Sequence, residues 1–196
     1  MTVVIGIICE DGKIVVGSDG AISFGDGYRR LMSEGKWWNM GCLMIGESGS
    51  DFALSRIRQK TVKHDPWTDL RDPYTFSELV CAVQTEVKGQ DGIDDIDAEL
   101  LHISGDKDCK PIIHVIGGDG GISGPYPYQA IGHGATPAII CLDTRLDPKY
   151  WKKKRNVANM TEVMMEALER SAQYADSVAK PFFIKVFDPS AEFVEL

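Results

Sequence analysis

Residues 2–23 read TVVIGIICEDGKIVVGSDGAIS, and their pattern decides the fold. Val3, Ile5 and Ile7 alternate with Val4, Gly6 and Ile8, and neither set carries a charge. A strand that is apolar on both faces is covered on both faces, so this one belongs inside a layered structure. Glu10-Asp11-Gly12 supplies a tight turn, and residues 13–18 return as the partner strand. Thr2 opens the hairpin. A threonine hydroxyl is a poor nucleophile unless a base lies beside it. Removal of Met1 gives Thr2 such a base, its own α-amino group, with a reference pKa of about 7.7–8.0. The small side chain after Met1 suits a methionine aminopeptidase, so a mature chain starting at Thr2 is expected.

Outward from this hairpin the chain reads as strands, two helices, strands, two helices and a strand. Residues 24–35 are rich in Gly and charge and read as a loop. Residues 36–39 and 42–47 form a second hairpin around Met40-Gly41. Ser50 is placed to cap a helix to about residue 63, with Phe52, Ala53, Ile57 and Thr61 on its inner face. Pro66 and Pro73 punctuate a linker. A second helix is expected over 75–88, where Phe76, Leu79, Val80, Val83 and Val87 make an apolar stripe. Strands are expected over 99–104, 111–116 and 128–132. A short helix starts near Ala135. A longer one runs from near Thr161 to about Asp176, with Met164, Ala167, Leu168, Ala172 and Ala175 inward, and 182–187 is a late strand. Four helices in this order cannot all lie between the hairpins, so they cover the outer faces of paired sheets. The class is α+β in a single domain over residues 1–196.

Composition bounds the function. The 196 residues carry a net charge of −8, which argues against nucleic-acid binding. Cys9, Cys42, Cys81, Cys109 and Cys141 are odd in number and form no CxxC pair, so they read as reduced thiols. No run approaches the ~20 apolar residues of a membrane span. The N-terminus shows no leader pattern. A cytoplasmic protein without a membrane association is expected.

The resemblance is carried by Thr2, by Asp19 at the end of strand two in VVGSDGAIS, and by Lys36 followed by WWNMGCLMIGESGS. In that order and spacing the chain resembles the proteasome-type N-terminal nucleophile hydrolases: proteasome β subunits, the bacterial HslV peptidase and the Anbu proteasome homologues. The resemblance extends loosely to the C-terminus. It implies a four-layer αββα sandwich of two packed antiparallel sheets flanked by helix pairs. It implies a threonine-type endopeptidase with Thr2 as nucleophile, Lys36 beside it and Asp19 holding Lys36. Gly46 in MIGESGS matches the family's oxyanion-hole glycine. Ser23 falls where the family binds substrate backbone, and Met44 near the position that shapes the pocket for the residue before the cut bond. No cofactor or metal is implied. A homo-oligomeric ring, stacked rings or spiral is implied, as are a peptide or unfolded-protein substrate and an ATP-dependent unfoldase partner.

The chain departs from the family pattern further on. Gly132-His133-Gly134 replaces a serine-containing turn, so His133 stands where a supporting hydroxyl is usual. Asp176 matches a supporting aspartate, but Ala179 stands where its serine partner would be. The segment ADSVAKP is closer to the Anbu pattern. Two other readings stay open on the sequence: a catalytically inactive assembly subunit, and an amidase acting on a small substrate.

The remaining motifs carry less. Residues 117–123, GGDGGIS, lack the Lys-Ser or Lys-Thr of a phosphate loop and read as a hairpin turn. DGIDDID lacks EF-hand spacing. His64, His102, His114 and His133 have no zinc-ligand spacing with cysteine. Residues 152–155, KKKR, read as a solvated basic loop. Trp67, Tyr150 and Trp151 are loop aromatics available to anchor subunit contacts.

Overall fold

The computed structural model describes residues 2–23, 29–63, 70–88, 97–106, 108 and 110–190, and for 22, 23 and 29–31 the backbone alone. The first hairpin is β1 (Val4–Ile8) with β2 (Ile14–Asp19). The second is β5 (Trp37–Met40) with β6 (Leu43–Gly49). Between them a short ribbon pairs β3 (Ala21–Ser23) with β4 (Arg29–Leu31). That ribbon corrects the reading of 24–35 as loop throughout. Three residues per strand are too few for an alternation signal.

Two antiparallel sheets stack. One has the order β10-β1-β2-β11, closed on its flanks by Tyr128–Ile131 and Phe182–Phe187. The other has the order β5-β6-β7-β8-β9, with β7 over Ala98–Gly105, β8 over Pro111–Gly117 and β9 over Ile122–Ser123. The β8–β9 turn is the hairpin read from GGDGGIS, closed by Gly117 N–H on Gly121 O at 2.8 Å.

The double-faced pattern of β1 is explained by its neighbours. Val3, Ile5 and Ile7 pack against Met160, Val163, Met164, Ala167 and Leu168 of α4 (Val157–Tyr174) and against Ala138 and Leu142 of α3 (Ala135–Leu146). Val4, one residue over, joins Ile14, Val16, Met44, Leu101, Ile103 and Ile113 between the sheets. On the far side of the second sheet, Leu43 and Ile45 meet Leu54 and Ile57 of α1 (Asp51–Thr61) and Phe76, Val80 and Val83 of α2 (Pro73–Val87). The result is four layers, helix pair, sheet, sheet, helix pair, as expected.

The helix ends refine the sequence reading. Asp72 caps α2 by accepting from Thr75 N at 2.9 Å with Pro73 in the first turn, so the supposed linker proline opens the helix. Asn156 caps α4 by accepting from Asn159 N at 3.0 Å, so the helix starts at Val157, four residues before Thr161. In α1, Ser50 makes no side-chain cap and Phe52 is exposed, whereas Leu54 is buried; the inner face is rotated by part of a turn from the expected one. Trp151 packs against the protomer's own α3–α4 core and is no free anchor, while Tyr150 is exposed. Trp67 and His64 lie outside the described residues. Cys9, Cys42 and Cys141 are buried thiols, Cys81 is exposed, and Cys109 lies outside the described residues. Among the described residues, no helix is long and apolar enough to cross a membrane.

Candidate active site

The site lies at one end of the two stacked sheets. Thr2 precedes β1, Asp19 ends β2, and Lys36 leads into β5, so two groups come from one sheet and one from the other. All three are buried, with Asp19 at 0 % exposure, Thr2 at 4 % and Lys36 at 6 %. Alternation explains the inward aim of Thr2: it shares its side of the strand with Val4, which faces the gap between the sheets.

Asp19 organises the cluster. Its Oδ1 accepts from Thr2 Oγ1 at 2.9 Å, from Val3 N at 2.9 Å and from Lys36 Nζ at 2.8 Å. Its Oδ2 accepts from Ala21 N at 3.2 Å. A buried carboxylate whose two oxygens both accept from fixed donors is held in one orientation. Lys36 Nζ also donates to Thr2 Oγ1 and to Ala21 O. Its main chain is pinned as well: Lys36 N donates to Ser18 Oγ at 3.0 Å, and Lys36 O accepts from Glu47 N at 3.0 Å. Burial pushes the Lys36 ammonium below the ordinary lysine range, and the charge of Asp19 opposes that shift. Chemically, the Thr2 hydroxyl has a proton acceptor on one side and a cation on the other, which lowers the cost of charge developing on Oγ1.

The other expected site residues lie in three different settings. Gly46 sits mid-strand in β6, where an added Cβ would lie 2.7 Å from Val4 Cγ1. Because Glu47 N points to β5, alternation turns Gly46 N toward β7 and its ladder partner Leu101. The expectation of a free Gly46 N–H is therefore corrected; the bend glycine is Gly49, with φ of 126°. Met44 is 0 % exposed within the core between the sheets, so it lines no open pocket. Ser23 is in β3, paired with Arg29.

His133 is exposed in the loop between β10 and α3, and its neighbours make the contacts. Gly134 N donates to Thr2 O at 3.1 Å, and Gly132, with φ of 88°, lies so close that an added Cβ would be 2.4 Å from the same oxygen. Asp176 is exposed in the turn after α4. Ala179 reaches the site through its backbone, its carbonyl accepting from Gly20 N at 3.4 Å. Sequence reasoning passed over Ser18 and Ala21. The signal available for both was their adjacency to Asp19 in GSDGA at the end of an apolar strand.

No protein-family model and no curated protein sequence matches the chain. Solved structures do. A mutant Anbu from a Hyphomicrobium species superposes with a TM-score of 0.74 at 13% identity, covering 96% of this chain and 82% of that one. The HslV of Trypanosoma brucei gives 0.68 at 15% identity, over 95% and 99% of the two chains. Thiobacillus denitrificans BPH in complex with epoxomicin gives 0.71 at 14% identity, over 97% and 100%. The chain has the proteasome-type N-terminal nucleophile hydrolase fold. Within that fold, the buried Thr2–Asp19–Lys36 cluster joins the start of β1, the end of β2 and the approach to β5. Among the described residues, no group of three His, Cys, Asp or Glu side chains is arranged to hold a metal ion.

Proposed function

We propose that the chain is a threonine-type endopeptidase whose nucleophile is Thr2, freed at its N-terminus by removal of Met1. The observation that carries this reading is the hydrogen-bonded contact of Thr2 Oγ1 with both Asp19 and Lys36 in a buried site. Thr2 Oγ1 attacks the peptide carbonyl, and the Thr2 α-amine takes its proton. Lys36, as a neighbouring cation, disfavours protonation of that amine and stabilises charge on Oγ1. The tetrahedral oxygen needs a fixed N–H donor. Two residues beyond Glu47, Gly49 N–H faces the same side, past the start of β5, and is assigned that role. The amine returns its proton to the leaving nitrogen, and water releases the acyl group from Thr2. This chemistry calls on no metal or cofactor.

The proposed setting is a cytoplasmic homo-oligomer, a ring, stacked rings or a spiral, that encloses the nucleophile and admits peptide or unfolded protein, with an ATP-dependent unfoldase as partner. Exposed Phe52, Val62 and Tyr74 on the α1–α2 layer and Ile140 and Tyr174 on the α3–α4 layer supply apolar surface for such contacts.

Intact mass spectrometry before and after treatment with epoxomicin tests the reading. Loss of Met1 and a single adduct on Thr2 are expected. A chain that keeps Met1 and takes no adduct overturns it in favour of an assembly subunit. An adduct without peptide cleavage, but with turnover of small amides, moves the activity to an amidase.

A further inference from the structure

We propose that Glu99 is a positioning residue for Thr2, acting through the loop Gly132-His133-Gly134. The inference rests on the reading of Thr2 as nucleophile. Thr2 leads into β1 of the four-stranded sheet and Lys36 into β5 of the five-stranded one, so their separation depends on how the sheets are tied at this end. A hydrogen bond ties them on each flank of Thr2. On the β2 flank, Lys36 N–H donates to Ser18 Oγ at 3.0 Å. On the β10 flank, Gly132 N–H donates to Glu99 Oε2 at 2.8 Å. Gly132 directly follows β10, and Glu99 belongs to β7 of the opposite sheet.

Gly132 touches the nucleophile's own residue. Its positive φ of 88° and the 2.4 Å between its ideal Cβ and Thr2 O leave no room for slack. Gly134 holds that oxygen from the other side, with N–H donating at 3.1 Å, and its carbonyl accepts from the buried Ser171 Oγ at 2.9 Å. Within the loop, Gly132 N–H is held across the gap between the sheets, by a charged acceptor. Such a bond is roughly twice as strong as one between neutral groups. Ser48 is Glu99's partner in the β6–β7 register, and its Oγ would lie 2.8 Å from the same Cβ. Ser48 and Glu99 thus form the shelf on which the loop rests. Glu99 itself is exposed, so its replacement strips the tie without opening the core.

The test compares wild type, Glu99→Gln and Glu99→Ala in the full chain as it assembles. Turnover of a fluorogenic peptide gives kcat and KM. The 13Cε shift of Lys36, assigned with Lys36→Arg, gives its titration without any need for activity. Gln keeps an acceptor oxygen and is expected within about 2-fold of wild type in kcat. Ala is expected to lower kcat about 10-fold or more with KM nearly unchanged, because a small misplacement of reacting atoms is costly. Water entering a loosened gap moves the Lys36 titration in Glu99→Ala up toward the ordinary lysine value, and Gln leaves it in place. Ala matching wild type in kcat and titration overturns the proposal, as does a rise in KM alone. If wild type cleaves no peptide, the titration decides: a shift with Ala and none with Gln upholds Glu99 while the peptidase reading fails. If Glu99→Ala does not fold, Glu99→Asp, which withdraws the carboxylate by one methylene, takes its place with the same expected results.

Discussion

Lys36 Nζ and Thr2 Oγ1 are hydrogen-bonded across the gap between the two sheets. Neither strand alone makes this contact. It exists because Asp19 gathers both, and because the sheets are tied on either flank by Ser18 and Glu99. The pair is therefore as much a property of sheet stacking as of the residues.

Removing the lysine tests the electrostatics. Lys36→Met leaves Asp19 at 0 % exposure with Thr2 Oγ1, Val3 N and Ala21 N as donors but without a cation. Breaking one half of a buried pair costs about 3–5 kcal/mol, and urea unfolding near neutral pH should show it. Adding Asp19→Asn should recover part of that loss, since the uncompensated charge goes with it. Turnover should fall at least ~10²-fold. A Lys36→Met protein as stable as wild type would mean that Asp19 carries no charge needing compensation.

Thr2→Ala separates chemistry from fold. The substitution deletes one hydroxyl, and Lys36 keeps Asp19 and the Ala21 carbonyl as partners. The expected stability loss is about 1–2 kcal/mol, in line with a buried hydrogen bond. Peptide turnover and epoxomicin labelling should disappear together. Near-wild-type turnover in this variant would remove Thr2 from the mechanism.

Much of this arrangement was legible in the sequence, for reasons that differ by residue. The apolar alternation of residues 3–8 announced a strand covered on both faces, and α3–α4 on one side and Met44 and Leu101 on the other supply the cover. Asp19 and Lys36 were visible as charges beside apolar strands, where a charge persists only if paired. Gly46 was misassigned because two glycines lie within four residues in GESG, and only the strand's hydrogen-bond direction tells which one leaves the ladder. Met44 was misassigned because an apolar residue looks the same whether it lines a pocket or fills a core. Glu99 was invisible, since its partner Gly132 is 33 positions away and no local pattern links them.

Gly132→Ala tests the close approach to Thr2, with Gly12→Ala as its control. Both glycines have positive φ, 88° and 82°, so both substitutions carry a similar backbone strain of about 1–2 kcal/mol. At Gly12 an added Cβ meets nothing within 4 Å. At Gly132 it meets Thr2 O at 2.4 Å and Ser48 Oγ at 2.8 Å. Gly12→Ala should lose stability and keep its turnover. Gly132→Ala should lose more stability and about 10²-fold in turnover, because the added methyl displaces Thr2. Equal turnover in the two variants would show that Thr2 tolerates the shift.

The last prediction concerns acid stability and a histidine outside the Thr2–Asp19–Lys36 cluster. His102 in β7 is fully buried, packed on the Phe76 ring at 5.4 Å and facing His114 across the strand pair. Its Nε2 lies 3.0 Å from Leu70 O; a carbonyl only accepts, so Nε2 carries the hydrogen. Nδ1 is then unprotonated and buried, and it has no hydrogen-bond partner among the described residues. Burial disfavours a second proton on the ring and holds the pKa down to about 4, with the hydrogen bond to Leu70 O as a smaller opposing influence. The unfolded chain titrates near the ordinary 6.5. Between those values the unfolded state binds a proton that the folded state refuses, so stability falls as pH drops from about 6.5 to about 4 and is flat above. The full loss from this group is about 3 kcal/mol. The neighbouring His114 is shifted down by burial as well and adds in the same direction. His102→Gln keeps an N–H donor for Leu70 O and has no charge to gain. Its urea midpoint should be lower than that of wild type near pH 7 and should change less with acid, so that the two curves converge or cross by pH 4. Parallel curves across that window would show that His102 accepts its proton inside the fold.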